Sequence, residues 1–266
     1  MAVQYIILNI PLLISIVNSV PSQNFEGYVV GGTLAKMQDF PHVALLSVEC
    51  RTEYERGYYT CGSSIVNQAI VITAAHCLDN CQPKNSFVTI FVGNRQVMKG
   101  LPYLASSYKI HEEYDGERAG NDIGLVKLKK ELTFAKNVRR VALMRKPPKH
   151  DHGRVAGWGF IDAENKISTE YLMQIKQALW SRAECMEEMY DAMDMPKGTI
   201  CGGDVDGSSH VTEGDSGSGL VVSKFILIGV VSYRISSLSQ SLAVYTDVAY
   251  FYDWVQNTAK TLYCEN

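Results

Sequence analysis

Past its N-terminal stretch the chain has no run of 18 uninterrupted apolar residues, so no later segment reads as a membrane-spanning helix and the mature protein is expected to be soluble, with no membrane contact. A charge excess is also missing. The 25 Lys and Arg against 28 Asp and Glu leave a formal net charge of −3, and with the cations spread widely no nucleic-acid partner is implied. There is no Asn-x-Ser/Thr sequon, so N-glycosylation is not expected. No long amphipathic helical pattern separates the short β-branched runs, and no clear internal repeat is seen, which argues against βαβ units.

What remains is globular in composition: 266 residues, 46% apolar and 20% charged, enough for one large or two modest domains. Residues 5–17 are largely Ile, Leu and Val, interrupted by Asn9 and Pro11 and followed by small polar residues up to Ser22. This reads as a secretory signal, residues 1–22 with cleavage between 19 and 22, although no Lys or Arg precedes the apolar core. A buried N-terminal strand is the alternative. Seven cysteines, at 50, 61, 77, 81, 185, 201 and 264, then suggest disulfides in a secreted, extracellular protein. Their spacing does not resemble a zinc site. Neither His76 with Cys77 and Cys81 nor the pair His150 and His152 reads as a metal site; no metal and no cofactor is expected.

Stretches 43–48, 63–66, 69–73, 87–92 and 122–128 are short, β-branched and bounded by polar or Gly-containing segments. In the second half 154–159, 172–178, 219–222, 225–231 and 242–245 read the same way, so the fold class is all-β with closed antiparallel sheet. Residues 49–59 form a charged, tyrosine-bearing insertion, expected to be an exposed hairpin near a cleft and more simply a solvated loop. The proline-rich stretch 146–153 marks the boundary between two lobes, about 29–145 and 154–248. A short helix is expected within 182–193 and a terminal helix over about 249–262, with Tyr250, Phe251, Trp254, Val255 and Ala259 close to one face.

The densest chemical signal is Glu213-Gly214-Asp215-Ser216-Gly217-Ser218-Gly219-Leu220. A serine between glycines can sit on a tight turn with its hydroxyl exposed, while the N–H groups of Gly214 and Ser216 converge on one spot and hold an oxyanion. Alone, it reads more readily as a plain surface turn. Two further segments matter: Thr73-Ala74-Ala75-His76-Cys77, and Asn121-Asp122-Ile123-Gly124-Leu125-Val126. In the order His76, Asp122, Ser216, these segments resemble the chymotrypsin/trypsin family of secreted serine endopeptidases, over about 29 to the C-terminus.

That resemblance implies two six-stranded antiparallel β-barrels with a C-terminal helix and a His76–Asp122–Ser216 triad at their seam. Histidine suits the task of taking the serine proton and returning it to the leaving amine, and a buried carboxylate fixes its tautomer. It implies a short propeptide, 23–28, cut by an activating protease after Tyr28, so that the new ammonium of Val29 pairs with Asp215. Tyr28 in place of Arg or Lys points to a chymotrypsin-like activator or to self-cleavage. Cys61–Cys77 and Cys185–Cys201 bridges are implied, Cys50–Cys81 is a candidate, and Cys264 has no evident partner. A macromolecular inhibitor is a further candidate partner beside protein or peptide substrates. The region after Cys81 has no dense acidic cluster for the calcium loop of some relatives.

The chain departs from the family at the substrate pocket, for which His210, Thr212, Ser232, Tyr233, Arg234 and Ala243 are the candidate residues. Thr212 and Leu238 stand where a bridge is usual, and Ser218 follows Gly217 where Gly-Pro is commoner. His210 falls where trypsin-like relatives place an acid, so cleavage after Lys or Arg is disfavoured. Arg234 and Ala243 replace glycines. One expectation is a shallow slot for a small or medium apolar residue with Arg234 turned to solvent; the alternative is attraction of Glu or Asp by Arg234 and His210. A rival for the whole protein is a catalytically weak or inactive homologue that acts as a secreted binding protein.

Overall fold

The computed structural model describes residues 30–51, 56–79, 86–162, 164–189, 195–204, 206–234, 239 and 241–264. The expected signal, the propeptide, Tyr28, Val29, Cys81 and Leu238 lie outside these residues.

The first barrel is closed by six strands in the order β2 (Val43–Arg51), β3 (Arg56–Ile65), β4 (Ile70–Thr73), β7 (Gly124–Leu128), β6 (Leu101–Ile110) and β5 (Ser86–Val92), which returns to β2. In β2, Leu46 and Val48 point to the core while Ser47 and Glu49 face outward, the period-2 alternation of a half-buried strand. The inward side chains of these strands, such as Leu46, Ile65, Ile72, Ile90 and Leu125, are fully buried. Strands β2 and β3 continue as a paired hairpin to Arg51 opposite Arg56, so the insertion at 49–59 is a ladder extension of the barrel wall.

The second barrel is closed by β9 (His152–Gly157), β12 (Met173–Trp180), β13 (Thr199–Gly203), β16 (Ala243–Asp247), β15 (Ile226–Arg234) and β14 (Gly219–Val222), which pairs back with β9. The small hairpin β10 (Phe160–Asp162) and β11 (Ile167–Ser168) projects from it. Helix α2 (Arg182–Glu188) opens on a capping box, in which the Ser181 side chain accepts from the Glu184 N–H and the Glu184 carboxylate from the Ser181 N–H.

Sequence halves and barrels do not coincide at the ends. Strand β1 (Thr33–Leu34) adds to β12 of the second barrel, and β8 (Ala142–Leu143) pairs in parallel with β15. Helix α3 (Tyr252–Cys264) packs back on β6 and β7 of the first barrel. Its buried face is Val255, Thr258 and Leu262, with Phe251 just ahead of it. Tyr250, expected on that face, is exposed because the helix starts two residues later. Among the described residues no helix is long and apolar enough to cross a membrane.

Candidate active site

Thr73 pairs with Gly124, so the chain leaving β4 and the chain entering β7 emerge at the same end of the first barrel. His76 lies three residues past β4, as the first residue of the short helix α1 (His76–Asp79), and Asp122 two residues before β7. The Asp122 carboxylate accepts from His76 Nδ1 at 2.8 Å and from the His76 backbone N–H at 3.0 Å. It also accepts from the Ser232 hydroxyl, and the Thr246 hydroxyl donates to the Asp122 carbonyl at 2.6 Å. The acid is buried while the His76 side chain keeps 30% of its surface exposed, an arrangement that orients the ring and leaves Nε2 as its basic nitrogen.

Two features brace the imidazole from behind. The Cys61–Cys77 disulfide ties β3 to α1, and the Tyr59 hydroxyl donates to the Cys77 carbonyl at 2.9 Å. Burial, with the nearby Tyr108 and Asp79, pushes the Tyr59 hydroxyl up to about 12. Tyr114 is likewise pushed up to about 12, by burial and by the charge of Asp122. Cys61, His76 and Cys77 place their ligand atoms within 4.8 Å of one another, but both sulfurs are spent in the disulfide and offer no thiolate to a metal.

Ser216 is brought to the same end of the molecule by backbone contacts between the barrels. Its carbonyl accepts from the Gly62 N–H at 2.7 Å, next to the bridged Cys61, and the Gly217 N–H donates to Val231 at 2.8 Å. Gly217 has φ +79°, and a Cβ there would stand 2.1 Å from the Thr73 hydroxyl and 2.4 Å from the Gly62 carbonyl. Only glycine lets the nucleophile loop lie this close to the segment that leads into His76. No described acceptor takes the N–H of Gly214 or of Ser216.

The next residue back, Asp215, is fully buried. Its carboxylate accepts from the Gly159 N–H and the Thr212 N–H, each at 2.9 Å, while the Thr212 hydroxyl donates to Phe160 at 2.8 Å. A Cβ on Gly159 would come within 2.3 Å of a carboxylate oxygen, which explains a glycine after Trp158. Burial pushes the Asp215 carboxyl up to about 6, against the pull of these donors. Trp158 is itself buried and donates through its indole N–H to Arg95 of the first barrel at 2.9 Å.

Beside Ser216 opens a cavity of about 260 Å³ walled by Thr212, Glu213, Ser232, Tyr233 and Arg234, with Val211 and Val231 behind. Of the expected pocket residues, Thr212, Ser232, Tyr233 and Arg234 therefore share a wall with Ser216, whereas His210 and Ala243 are not among the residues that line it. Ala243 is buried opposite Arg234 in the β15–β16 ladder. His210 is 9% exposed, its N–H bonds to the Val30 carbonyl at 3.1 Å, and its Nδ1 has no hydrogen-bond partner among the described residues. Burial and the Arg234 charge push its imidazole down to about 4. Arg234 is half-buried and lines the cavity. The β15–β16 register shifts between Val231 and Tyr233, next to the cavity.

The Cys61–Cys77 and Cys185–Cys201 bridges are both present, and Cys264 is an exposed free thiol at the end of α3. Cys50 is also disulfide-bonded; Cys81 lies outside the described residues. Sequence reasoning missed the bracing by Tyr59, the contact of Ser232 with Asp122, and the Thr246 anchor. Only the first had a signal, a tyrosine two residues before Cys61.

Comparison with known proteins places these features in context. A family model described as Trypsin matches residues 29–255. Hypodermin-B of Hypoderma lineatum is 31% identical over 239 residues, covering 89% of each chain. Trypsin-1 of Astacus astacus is 33% identical over 245 residues, 87% of this chain and all of that one, and trypsin delta of Drosophila melanogaster is 29% identical over 237 residues, 88% of this chain and 89% of that one. A solved structure of a scabies mite inactivated protease paralogue, S-D1, superposes with a TM-score of 0.76 at 22% identity, over 87% of this chain and 97% of that one, and shares the fold.

Proposed function

Because the chain belongs to the trypsin family, we propose that it is a secreted serine endopeptidase of non-tryptic specificity, acting through His76, Asp122 and Ser216. The observation that carries the reading is the buried Asp122 carboxylate on His76 Nδ1 at 2.8 Å, at the barrel end where Ser216 lines a side-chain-sized cavity. Ser216 Oγ adds to the substrate carbonyl carbon as its proton passes to His76 Nε2, and the oxyanion accepts from the Gly214 and Ser216 N–H groups. The C–N bond breaks as His76 gives that proton to the leaving amine. Water then adds to the ester, its proton goes by way of His76 to Ser216 Oγ, and the acid product leaves.

Cleavage after Tyr28 supplies the Val29 ammonium to Asp215. Burial pushes this carboxyl up to about 6, which reflects the cost of holding its charge out of water, and a paired ammonium offsets that cost. N-terminal sequencing of the mature protein is expected to start at Val29; another start overturns this activation route. The Arg/Lys-binding carboxylate of tryptic pockets has no counterpart in the cavity wall except the exposed Glu213, so cleavage after basic residues is expected to be slow.

A second reading, a secreted binding protein without activity, draws support from the altered pocket and from the fold shared with a protease described as inactivated. Labelling by a fluorophosphonate after verified cleavage before Val29 separates the two. Labelling that disappears in Ser216→Ala supports hydrolysis, and no Ser216-dependent labelling overturns it in favour of the binding role.

A further inference from the structure

We propose that the outer face of the second barrel, at Arg154, Lys176 and His152, is an exosite that receives an acidic segment of a polypeptide partner. The inference goes beyond the hydrolytic reading and does not depend on whether Ser216 is active.

The sheet itself brings the three basic side chains together. In the β9–β12 ladder Arg154 stands directly opposite Lys176, and His152 follows two residues along the same face, opposite Ala178. That face turns away from the core: Gly153, Val155, Ile175 and Gln177 are buried, while Lys176 and His152 are exposed and Arg154 is half-buried. Like charges directly opposite on a strand pair are destabilising, and an anion set between them removes the repulsion. Among the described residues no acid forms an ion pair with any of the three. Arg154 is already oriented, lying over the Phe40 ring at 4.6 Å and donating to the Gln174 carboxamide, but neither of these partners carries a charge.

The same side chains line a cavity of about 490 Å³ together with Gln174, Thr33 and the turn at Ser208 and Ser209. Thr33 of β1 pairs with Gln174 of β12, so a hydroxyl and a carboxamide continue the basic face and suit the peptide groups of a bound segment. Gly31, also in the rim, has φ +73°, and a Cβ there would stand 1.8 Å from the Ser208 carbonyl, so the N-terminal segment and this turn abut at the cavity edge. Among the described residues Asp204 is the one acid in the wall. A single oxygen of its carboxylate accepts from the Ser209 N–H at 3.0 Å and from the Ser208 and Ser209 hydroxyls at 3.1 and 2.5 Å, which holds its charge within its own turn.

This balance selects the partner. A carboxylate set between a guanidinium and an ammonium accepts charge-assisted hydrogen bonds from both. A sulfated glycan or an anionic membrane surface calls for a longer run of cations. Here three basic side chains line the cavity, an acid shares it, and the chain as a whole carries −3.

The test is calorimetry at low ionic strength on the secreted chain carrying Ser216→Ala, so that no peptide is cut. The probes are an acetylated peptide amide with three consecutive glutamates and its glutamine counterpart. The glutamate peptide is expected to bind about tenfold more tightly, a difference that shrinks with added salt. Lys176→Glu reverses the charge of an exposed side chain and should abolish the preference with the fold unchanged. Arg154→Gln should do the same, and Arg154→Lys should retain part of it. Lys260→Glu, an equal change of charge on the exposed face of α3, should leave the preference as it was. Equal affinities for the two peptides, a preference that survives Lys176→Glu, or an equal loss in Lys260→Glu overturns the proposal. So does a heparin-derived hexasaccharide that binds through Lys176 more tightly than the glutamate peptide. Because the readout is binding to a chain without its nucleophile, failure here leaves the hydrolytic reading intact.

Discussion

Asp122 gathers donors from remote positions: His76 through ring and backbone, and Ser232 and Thr246 from the second barrel. Replacing it with Asn keeps the shape but puts an N–H₂ where the Nδ1–H must be accepted. Asp122→Asn is therefore expected to lower kcat by roughly 10⁴-fold, the size familiar from the best-studied triads, with KM little changed. Steady-state kinetics check this, and a loss below tenfold would remove Asp122 from the mechanism. Thr212 has a structural task at this scale, because its hydroxyl bridges the nucleophile loop to the Phe160 carbonyl. Thr212→Val should cost about 1–2 kcal/mol by leaving a part-buried carbonyl without its donor, read from denaturant unfolding. His76, Asp122, Ser216 and Asp215 could be singled out as candidates in the sequence because each sits in a distinctive local string. The Ser232 and Thr246 contacts were not, since they span 110 and 124 residues and depend on how the barrels meet.

Elements were legible where hydrophobic pattern and strand coincide. β2, β4, β5, β7, β12, β14, β15 and β16 all fall on stretches read as strands from β-branched runs. β6 was not, because Leu101–Ile110 contains Pro102 and two serines and buries none of its residues fully. β13 escaped for another reason: Thr199–Gly203 ends in two glycines, yet its short run is held by ladders on both sides. The stretch 49–59 was read as an exposed hairpin or, more simply, a solvated loop; its described residues continue the β2–β3 ladder, and Tyr59 supports α1 through the Cys77 carbonyl. The bridge beneath it carries a prediction: replacing Cys61 and Cys77 together by alanine should cost about 3 kcal/mol, given a loop of 16 residues. It should also lower kcat more than it raises KM, because α1 carries the base; unchanged kcat in the folded variant would show that the disulfide does not position His76.

At the scale of the whole molecule, acid is expected to weaken the fold through groups buried in it. His42 is 1% exposed, neither ring nitrogen has a partner among the described residues, and burial pushes its imidazole down to about 4. Unfolded histidine titrates near 6.5, so the contribution of this group is present above that pH and is lost as pH falls toward 4, about 3 kcal/mol in all. His210 acts in the same direction. Asp215 opposes them, since a carboxyl pushed up to about 6 takes its proton first in the folded state and is relieved as pH falls from 6 toward 4. His42→Leu isolates the first effect. Its melting temperature should fall less than the wild type's between pH 7 and pH 5, and parallel pH profiles would refute the assignment.

The exchange of ends between the barrels, β1 on the second and α3 on the first, means that the two halves are clasped like hands rather than strung like beads. A protease that nicks the exposed proline-rich crossing at 146–149 should leave one particle in native gel filtration, even though neither described bridge with named partners joins the two halves, Cys61–Cys77 lying before the crossing and Cys185–Cys201 after it. The same clasp gives the severed pieces a template for finding one another again, so a gene divided at that crossing should reassemble a working cleft from two separately made polypeptides.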